Sequence, residues 1–371
     1  MNLDHLYRRA LNLEPLTLEE GELLYEVAPT SELMFVAWQV RQKLHPGNTV
    51  TWMIDRNINI TNVCISGCKF CNFHCKVNSS EQYTTTFEEY KSKIEAMQQL
   101  GGNQLLIQGG MHPQYGLAFY TDLFSKLKEA FPEVRLHALG PPEVVHIARK
   151  ERMSYREVLE KLIASGLESL PGAGAEILSD RVRKQISPGK ARTAEWLEVM
   201  AEAHQIGILT SATMMFGHIE TIRERIEHMV LLRDLQSIKP SFAPGFMAFI
   251  PWPIMSEGTE LGKMVALSPV LPVEYIRTIA ISRIVLNNIP NIQASWLTIG
   301  KETAQVCLHA GANDLGSIMI EENVVSSAGA SFKLSALEMQ RMIAEAGFYP
   351  QLRTQDYKFI DLPPVVEKYG A

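Results

Sequence analysis

Apolar and polar positions follow a helical period over the first fifty residues. Thr17 and Glu20 stand at capping-box spacing. Leu33, Val36, Ala37, Val40 and Leu44 share one face of a helix predicted over Ser31–Leu44, which Pro46-Gly47-Asn48 ends. From about Val50 the pattern changes to short apolar runs alternating with amphipathic stretches, as in repeated strand–helix units. The runs predict strands at Val50–Asp55, Gln104–Gln108, Val134–Leu139, Leu167–Leu170, Ile208–Met215, Phe246–Ile250, Ile292–Trp296 and Ala312–Gly316. Two intervening helices have readable starts. Thr86 and Glu89 open one whose apolar face is Phe87, Tyr90, Ile94, Met97 and Leu100, and Thr221 and Glu224 open another carrying Ile222, Ile226, Met229 and Val230.

Eight such units fit between about residue 50 and residue 347, close to the roughly 250 residues of a (β/α)8 barrel with insertions. The predicted fold is an α/β TIM-type barrel over 50–347, preceded by a helical extension over 1–49. It is followed by a tail over 348–371, which Pro350 and Pro363-Pro364 mark as irregular and which is expected to pack on the barrel. A doubly wound open sheet is the rival, but no Gly-rich dinucleotide fingerprint follows the first strand.

The 371 residues are 46% hydrophobic and 20% charged, a globular composition. Lys plus Arg 35 against Asp plus Glu 41 leaves −6, so no basic field draws the chain to nucleic acid or an anionic membrane, and a small-molecule substrate is expected. Apolar runs fall well short of the roughly 20 residues of a spanning helix, and MNLDHLYRRALNLEP lacks the apolar region of a signal peptide. The expectation is a cytoplasmic protein without membrane insertion. Four of the five cysteines, Cys64, Cys68, Cys71 and Cys75, fall within twelve residues, and Cys307 stands far away. This clustering suits metal or redox chemistry better than a disulfide framework.

Cys64, Cys68 and Cys71 form a C-x3-C-x2-C run just past the first predicted strand, on the side where a barrel places its active site. Three thiolates this close can hold three irons of a 4Fe-4S cubane, with Gly67 letting the backbone turn near the sulfides. The fourth iron is then open, as an enzyme that chelates S-adenosylmethionine (SAM) through its amino and carboxylate groups requires. Two alternatives remain at this point: a zinc knot that enlists His74 and Cys75, or a cluster with Cys75 as fourth ligand, which would be an electron carrier. Otherwise Cys75 is a neighbouring thiol.

Further segments extend the picture: DRNINITNVCISGCKFCNF, QGGMHP at Gln108–Pro113, HALGPPEV at His137–Val144, SLPGAGAEIL at Ser169–Leu178, TMMFGHIET at Thr213–Thr221, NIQASW at Asn291–Trp296 and GANDLGS at Gly311–Ser317. Together, from about Thr51 to Phe348, they resemble the cyclic dehypoxanthinyl futalosine synthase family of radical SAM enzymes, which act in the futalosine route to menaquinone. The resemblance implies a 4Fe-4S cluster on Cys64, Cys68 and Cys71, SAM as cofactor, and a one-electron donor such as flavodoxin or ferredoxin. It also implies a 5′-deoxyadenosyl radical that takes hydrogen from C4′ of the sugar of dehypoxanthine futalosine, after which that carbon adds to the benzoate ring. Aminofutalosine synthase and the deazaflavin-ring synthases share this architecture. One departure stands out: family members usually follow the third cysteine with a segment ending Phe-Tyr-Arg, where this chain has Asn72-Phe73-His74-Cys75.

The other candidates follow from their places on the predicted barrel. Phe70, Gly109, Gly110, Glu176 and Arg183 are expected at the cofactor, the glycines by letting backbone approach a ligand and Glu176 by accepting hydrogen bonds. Arg181 could equally be a solvated surface residue. His137, Gln293, Ser295 and Asn313 are expected at the substrate, and the base for the final proton is sought among His137, His218, Glu220 and Asp314. A core histidine is the plain alternative for His137, and turn formation for His218, Glu220, Asn313 and Asp314. Cys307 and His309 are read as structural.

Overall fold

The computed structural model describes residues 2–321, 323, 326–329 and 332–361. The part of the predicted tail from 362 onward, with Pro363-Pro364, lies outside them. Ten strands are present: β1 Thr49–Met53, β2 Asp55–Asn59, β3 Gln104–Gln108, β4 Arg135–Ala138, β5 Leu167–Leu170, β6 Leu209–Phe216, β7 Phe246–Pro253, β8 Asn291–Ile292, β9 Asp314–Ser317 and β10 Tyr349–Leu352. Strands β2 to β8 pair in chain order as one seven-stranded parallel sheet with helices in every connection, the curled α/β wall that the alternating pattern predicts.

The first predicted strand is two strands in two sheets. β1 pairs with β9 and β10, whereas β2 pairs with β3 from Asp55↔Gln104 to Asn59↔Gln108. Polar residues at alternate positions of β2 disguise it in the sequence. Asp55, Asn57 and Asn59 line the interior cavity, while Ile58 joins the apolar core. At the other end of the sheet the predicted strand Ile292–Trp296 stops at Ile292. The Ala294 amide turns to the Asp314 carbonyl at 3.0 Å, Ser295 donates its amide to the Tyr275 hydroxyl at 2.8 Å, and Trp296–Ile299 is helical. β9 thus occupies the eighth position, joined to the large sheet by the single bridge Gln293↔Asp314 and to β1 by a bulged ladder.

The stretch after Gly347 is not irregular at its start. β10 pairs with β1 from Thr49↔Tyr349 to Trp52↔Leu352, and as an edge strand it accommodates Pro350, which has no N–H to donate. Beyond it Arg353, Gln355 and Tyr357 reach into the barrel and line its cavity.

The helical extension is present as Leu3–Leu11, Leu18–Val27 and Thr30–Leu44, with the Thr17–Glu20 capping box formed. It packs on the outer helix Pro272–Val285, where the Tyr25 and Thr278 hydroxyls meet at 3.2 Å. The boxes at Thr86 and Thr221 also form, although Leu100 is exposed rather than on the buried face. Cys307 is fully buried in the helix Lys301–Leu308. No helix of the described residues is long and apolar enough to cross a membrane.

Candidate active site

The loop after β2 brings Cys64, Cys68 and Cys71 to one cavity of about 380 Å³ that runs into the barrel. Ser66 bridges two of the thiols, its hydroxyl 3.0 Å from Cys64 Sγ and 3.2 Å from Cys68 Sγ, and the Met111 amide donates to Cys64 Sγ at 3.3 Å. Burial pushes the Cys68 thiol up to about 12. At Cys71 burial also acts upward, but the His74 imidazole, the amides of Phe73 and His74, and the Lys190 charge outweigh it and leave this thiol below its ordinary value. Gly109 and Gly110 also line the cavity. A Cβ at Gly110 would lie 2.1 Å from the Val63 carbonyl oxygen and 2.9 Å from Cys64 Cβ, so only glycine allows this approach.

Cys75 is placed differently. Its amide and carbonyl bond to the Asn62 carbonyl and the Cys64 amide at 2.9 and 3.1 Å, in a bridge with Val63, and it does not line the cavity. Its backbone thus braces the segment that bears Cys64. His74 does line the cavity, with Nδ1 2.9 Å from the Cys71 carbonyl.

Beside the thiols lies a charged cluster. Glu176 adopts a left-handed backbone with φ 39°, a strained setting for a residue with a Cβ, and its carboxylate is 5% exposed. Lys190 Nζ meets Glu176 Oε1 at 2.7 Å and stands 5.4 Å from the centre of the Phe70 ring. Glu176 Oε2 has no hydrogen-bond partner, its nearest cation being Arg183 Nη1 at 3.6 Å. Glu143 Oε2 is likewise buried and unpartnered, and burial raises this carboxyl to about 7. Burial lowers the Lys190 ammonium, but the Glu176 carboxylate bonded to it offsets this and keeps it protonated. Lys190 is tied to the cysteine loop through the Gly189 amide, which donates to the Ser66 carbonyl at 2.9 Å, and the Lys69 amide, which donates to the Ile186 carbonyl at 2.8 Å. Lys190 and Glu143 are absent from the sequence-derived set. No local periodicity places Lys190 against a carboxylate 14 residues away.

The lumen beneath is lined by Asp55, Asn57 and Asn59, by Gln108, His137 and Gln293, by Ser295, and on β7 by Ala248, Ile250 and Trp252. His137 Nδ1 contacts Ser169 Oγ at 2.7 Å and its Nε2 lies 3.4 Å from Gln355 Nε2. Burial pulls His137 down to about 3, so it stays neutral and is a weak proton acceptor. Gly316, with φ 65°, leaves room for Gln293, whose Nε2 would otherwise lie 2.3 Å from a Cβ there.

Six candidates lie outside the cavity, and in each case a stronger partner takes the side chain. Arg183 donates to the carbonyls of Ala191 and Gly174 at 2.9 and 3.0 Å, so it positions the Glu176 loop and does not reach the cofactor space. His218 and Glu220 bond to each other at 2.9 Å, and Glu220 also accepts from the Gly217 amide at 2.6 Å and from Arg225 at 2.7 Å, with both side chains sealed from solvent. Asn313 accepts from Arg283 at 2.6 Å and donates to Asn291 at 2.8 Å. Asp314 is held by Arg353 and by the Thr51 hydroxyl. Arg181 pairs with Glu224 at the surface. These side chains cap turns and join strands, which the turn-forming alternative anticipated for all but the arginines.

The donor set fits a three-cysteine cluster with SAM beside it: three thiols at one cavity, a glycine pair without Cβ against them, and two buried carboxylate oxygens lacking donors next to a cation. An amino and ribosyl ligand supplies those donors. The family model of the radical SAM superfamily matches residues 58–232, and that of the CofH/MqnC C-terminal region matches residues 243–366. The chain is 42% identical over 349 residues to the cyclic dehypoxanthine futalosine synthase of Streptomyces coelicolor, covering 93% of this chain and 86% of that one. It is 41% identical to the 5-amino-6-(D-ribitylamino)uracil–L-tyrosine 4-hydroxyphenyl transferase 1 of Methanosarcina barkeri, covering 92% and 90%. Among solved structures methylornithine synthase (PylB) superposes with a TM-score of 0.68 at 20% identity, covering 94% of this chain and 98% of that one, which shows a shared fold. The three thiols around one cavity and this agreement along nearly the whole chain establish that it belongs to the radical SAM superfamily, in the family of the cyclic dehypoxanthine futalosine synthases, and uses a 4Fe-4S cluster and SAM.

Proposed function

We propose that this enzyme closes the ring of dehypoxanthine futalosine to give cyclic dehypoxanthinyl futalosine in menaquinone biosynthesis, in the cytoplasm, with a flavodoxin or ferredoxin as electron donor. The observation that carries this reading is the 42% identity to a synthase of that name across 93% of the chain. Cys64, Cys68 and Cys71 would hold the cluster, which together with SAM and an external electron would supply the one-electron chemistry for hydrogen abstraction.

The remaining work falls to the chain. Glu176 and Glu143 accept hydrogen bonds from SAM, and Lys190 holds the Glu176 carboxylate in place for this. Gly109 and Gly110 admit it close to the cysteine loop. The lumen orients the substrate so that sugar C4′ faces the cofactor and the benzoate ring lies within reach of that carbon, which converts the addition into an intramolecular step. His137, held neutral, acts as a hydrogen-bonding group rather than a base.

A second reading, transfer of a 4-hydroxyphenyl group from tyrosine to a ribitylaminouracil, has its own support in the 41% identity to the Methanosarcina barkeri enzyme. Anaerobic incubation of the reduced enzyme with SAM separates the two. Dehypoxanthine futalosine should be cyclised with formation of 5′-deoxyadenosine, whereas tyrosine plus 5-amino-6-(D-ribitylamino)uracil should be left unchanged. The converse result rejects the cyclase.

A further inference from the structure

One wall of the lumen carries polar groups that none of the described residues satisfies. Asp55, Asn57 and Asn59 on β2 are 5, 3 and 2% exposed, and Asp55 Oδ1, Asn57 Oδ1 and Asn59 Nδ2 have no hydrogen-bond partner. The amide of Asn59 is fixed in this sense because its Oδ1 accepts from Asn323 Nδ2 at 2.9 Å, which leaves the NH2 group as the unpartnered end. A buried polar atom without a partner costs about 1–3 kcal/mol, so each of the three favours a ligand that supplies one. Across the lumen β7 presents Ala248, Ile250 and Trp252, a largely apolar strip.

We propose that β2 is the hydroxyl-recognition subsite of the enzyme. Asp55 and Asn57 accept hydrogen bonds from the substrate's sugar, Asn59 donates one to it, and the β7 strip takes the aromatic ring. Two free acceptors and one donor suit hydroxyl groups, each of which can both donate and accept. Side chains on alternate positions of one strand stand about 7 Å apart, roughly the span of a pentose. A substrate with a hydroxylated end and an apolar ring thus has one preferred roll about the barrel axis, and that roll decides which sugar carbon faces the cofactor. This assignment rests on the cyclase reading; that these three atoms have no partner among the described residues is independent of it.

The test uses the reconstituted full-length enzyme and its Asn57→Leu and Asn59→Leu variants, both close in shape to the parent residue. Two quantities are measured: the melting temperature without substrate and KM for dehypoxanthine futalosine. If the subsite is as described, KM rises ten-fold or more in each variant. The Asn57→Leu melting temperature stays level or rises, because a needless polar atom has been removed. An unchanged KM in both variants with active wild type overturns the subsite and leaves the cyclase standing. A lowered melting temperature of Asn57→Leu with unchanged KM assigns that residue to folding instead and likewise overturns it. Failure of the wild type to cyclise the substrate removes the cyclase reading, and the sugar assignment with it.

Discussion

Arg353 grips Asp314 at two points, Nε to Oδ2 at 2.6 Å and Nη2 to Oδ1 at 2.9 Å, and so pins the chain beyond β10 to β9 inside the barrel. Asp314 is 0% exposed and Arg353 4%. Removing the cation alone, as in Arg353→Met, strands a carboxylate in the interior and should lower the unfolding free energy by about 3–5 kcal/mol. Replacing both, as in Arg353→Met with Asp314→Leu, should recover most of that loss. Urea denaturation of the three proteins tests the pair. A single variant within about 1 kcal/mol of wild type would show the bridge to be unimportant.

Lys190 and Glu176 predict a cofactor-specific defect. Lys190→Met leaves the buried Glu176 carboxylate without its 2.7 Å partner. A charge-assisted hydrogen bond is worth about 1.5–3 kcal/mol, so KM for SAM should rise about 10- to 100-fold. Iron content should hold at the wild-type level. Loss of iron in parallel would make Lys190 a structural prop of the cysteine loop instead.

Cysteine 75 offers a cleaner discrimination. Its backbone, not its thiol, engages the Cys64 segment. Cys75→Ala should therefore retain the iron and acid-labile sulfide of the wild type after anaerobic reconstitution, whereas Cys68→Ala should lose most of both. Equal loss in the two variants would make Cys75 a ligand and close the open iron.

Gly110→Ala tests the closeness of two backbones. The added methyl meets the Val63 carbonyl at 2.1 Å and Cys64 Cβ at 2.9 Å, both on the cluster loop. Something must shift, and the expected result is a protein that folds but takes up less than half the iron. Wild-type iron content and activity would mean that the loop yields without harm.

Acid sensitivity has a source away from the active site. Burial lowers His204 to about 4 and His228 to about 3 from the ordinary value of 6.5. His228 Nδ1 accepts from the Leu178 amide at 3.0 Å, so a proton there would set one N–H against another. The unfolded chain binds these protons first. The stability is therefore complete above pH 6.5 and is lost as pH falls, by about 2 kcal/mol per histidine at pH 5. Glu220, held near 2 by His218 and Arg225 against the opposing effect of burial, adds a loss of the same sign below pH 4.5. His204→Gln should shrink the stability difference between pH 7 and pH 5 by about 2 kcal/mol. An unaltered difference would locate the acid response elsewhere.

The barrel was legible because its helices announce themselves with boxes such as Thr86–Glu89 and Thr221–Glu224, and because most strands are apolar runs with both faces covered. β2 was not, since strand patterning assumes that the buried face is apolar and β2 turns Asp55, Asn57 and Asn59 to the lumen. The cysteine run was readable because its ligands are contiguous. Lys190 comes from a loop, Glu143 from the first turn of the helix Pro141–Glu151, and Arg353 and Gln355 from the stretch after β10, and only tertiary pairing gathers them. Asp314, Asn313, His218 and Glu220 have the right chemistry at the right ends of strands. Sequence position could not tell that arginines and amides had already claimed them.

The pairing of Thr49 with Tyr349 has a kinetic corollary. A ladder that joins residues three hundred positions apart closes only after nearly the whole chain is available, and such long loops make ring closure slow. The N-terminal portion, though it owns all three cluster cysteines, lacks until then the strand that borders β1 and the side chains that floor the chamber. Metal loading on a nascent or truncated chain should therefore be poor, and the order of events in the cell becomes polypeptide completion first, cofactor assembly second.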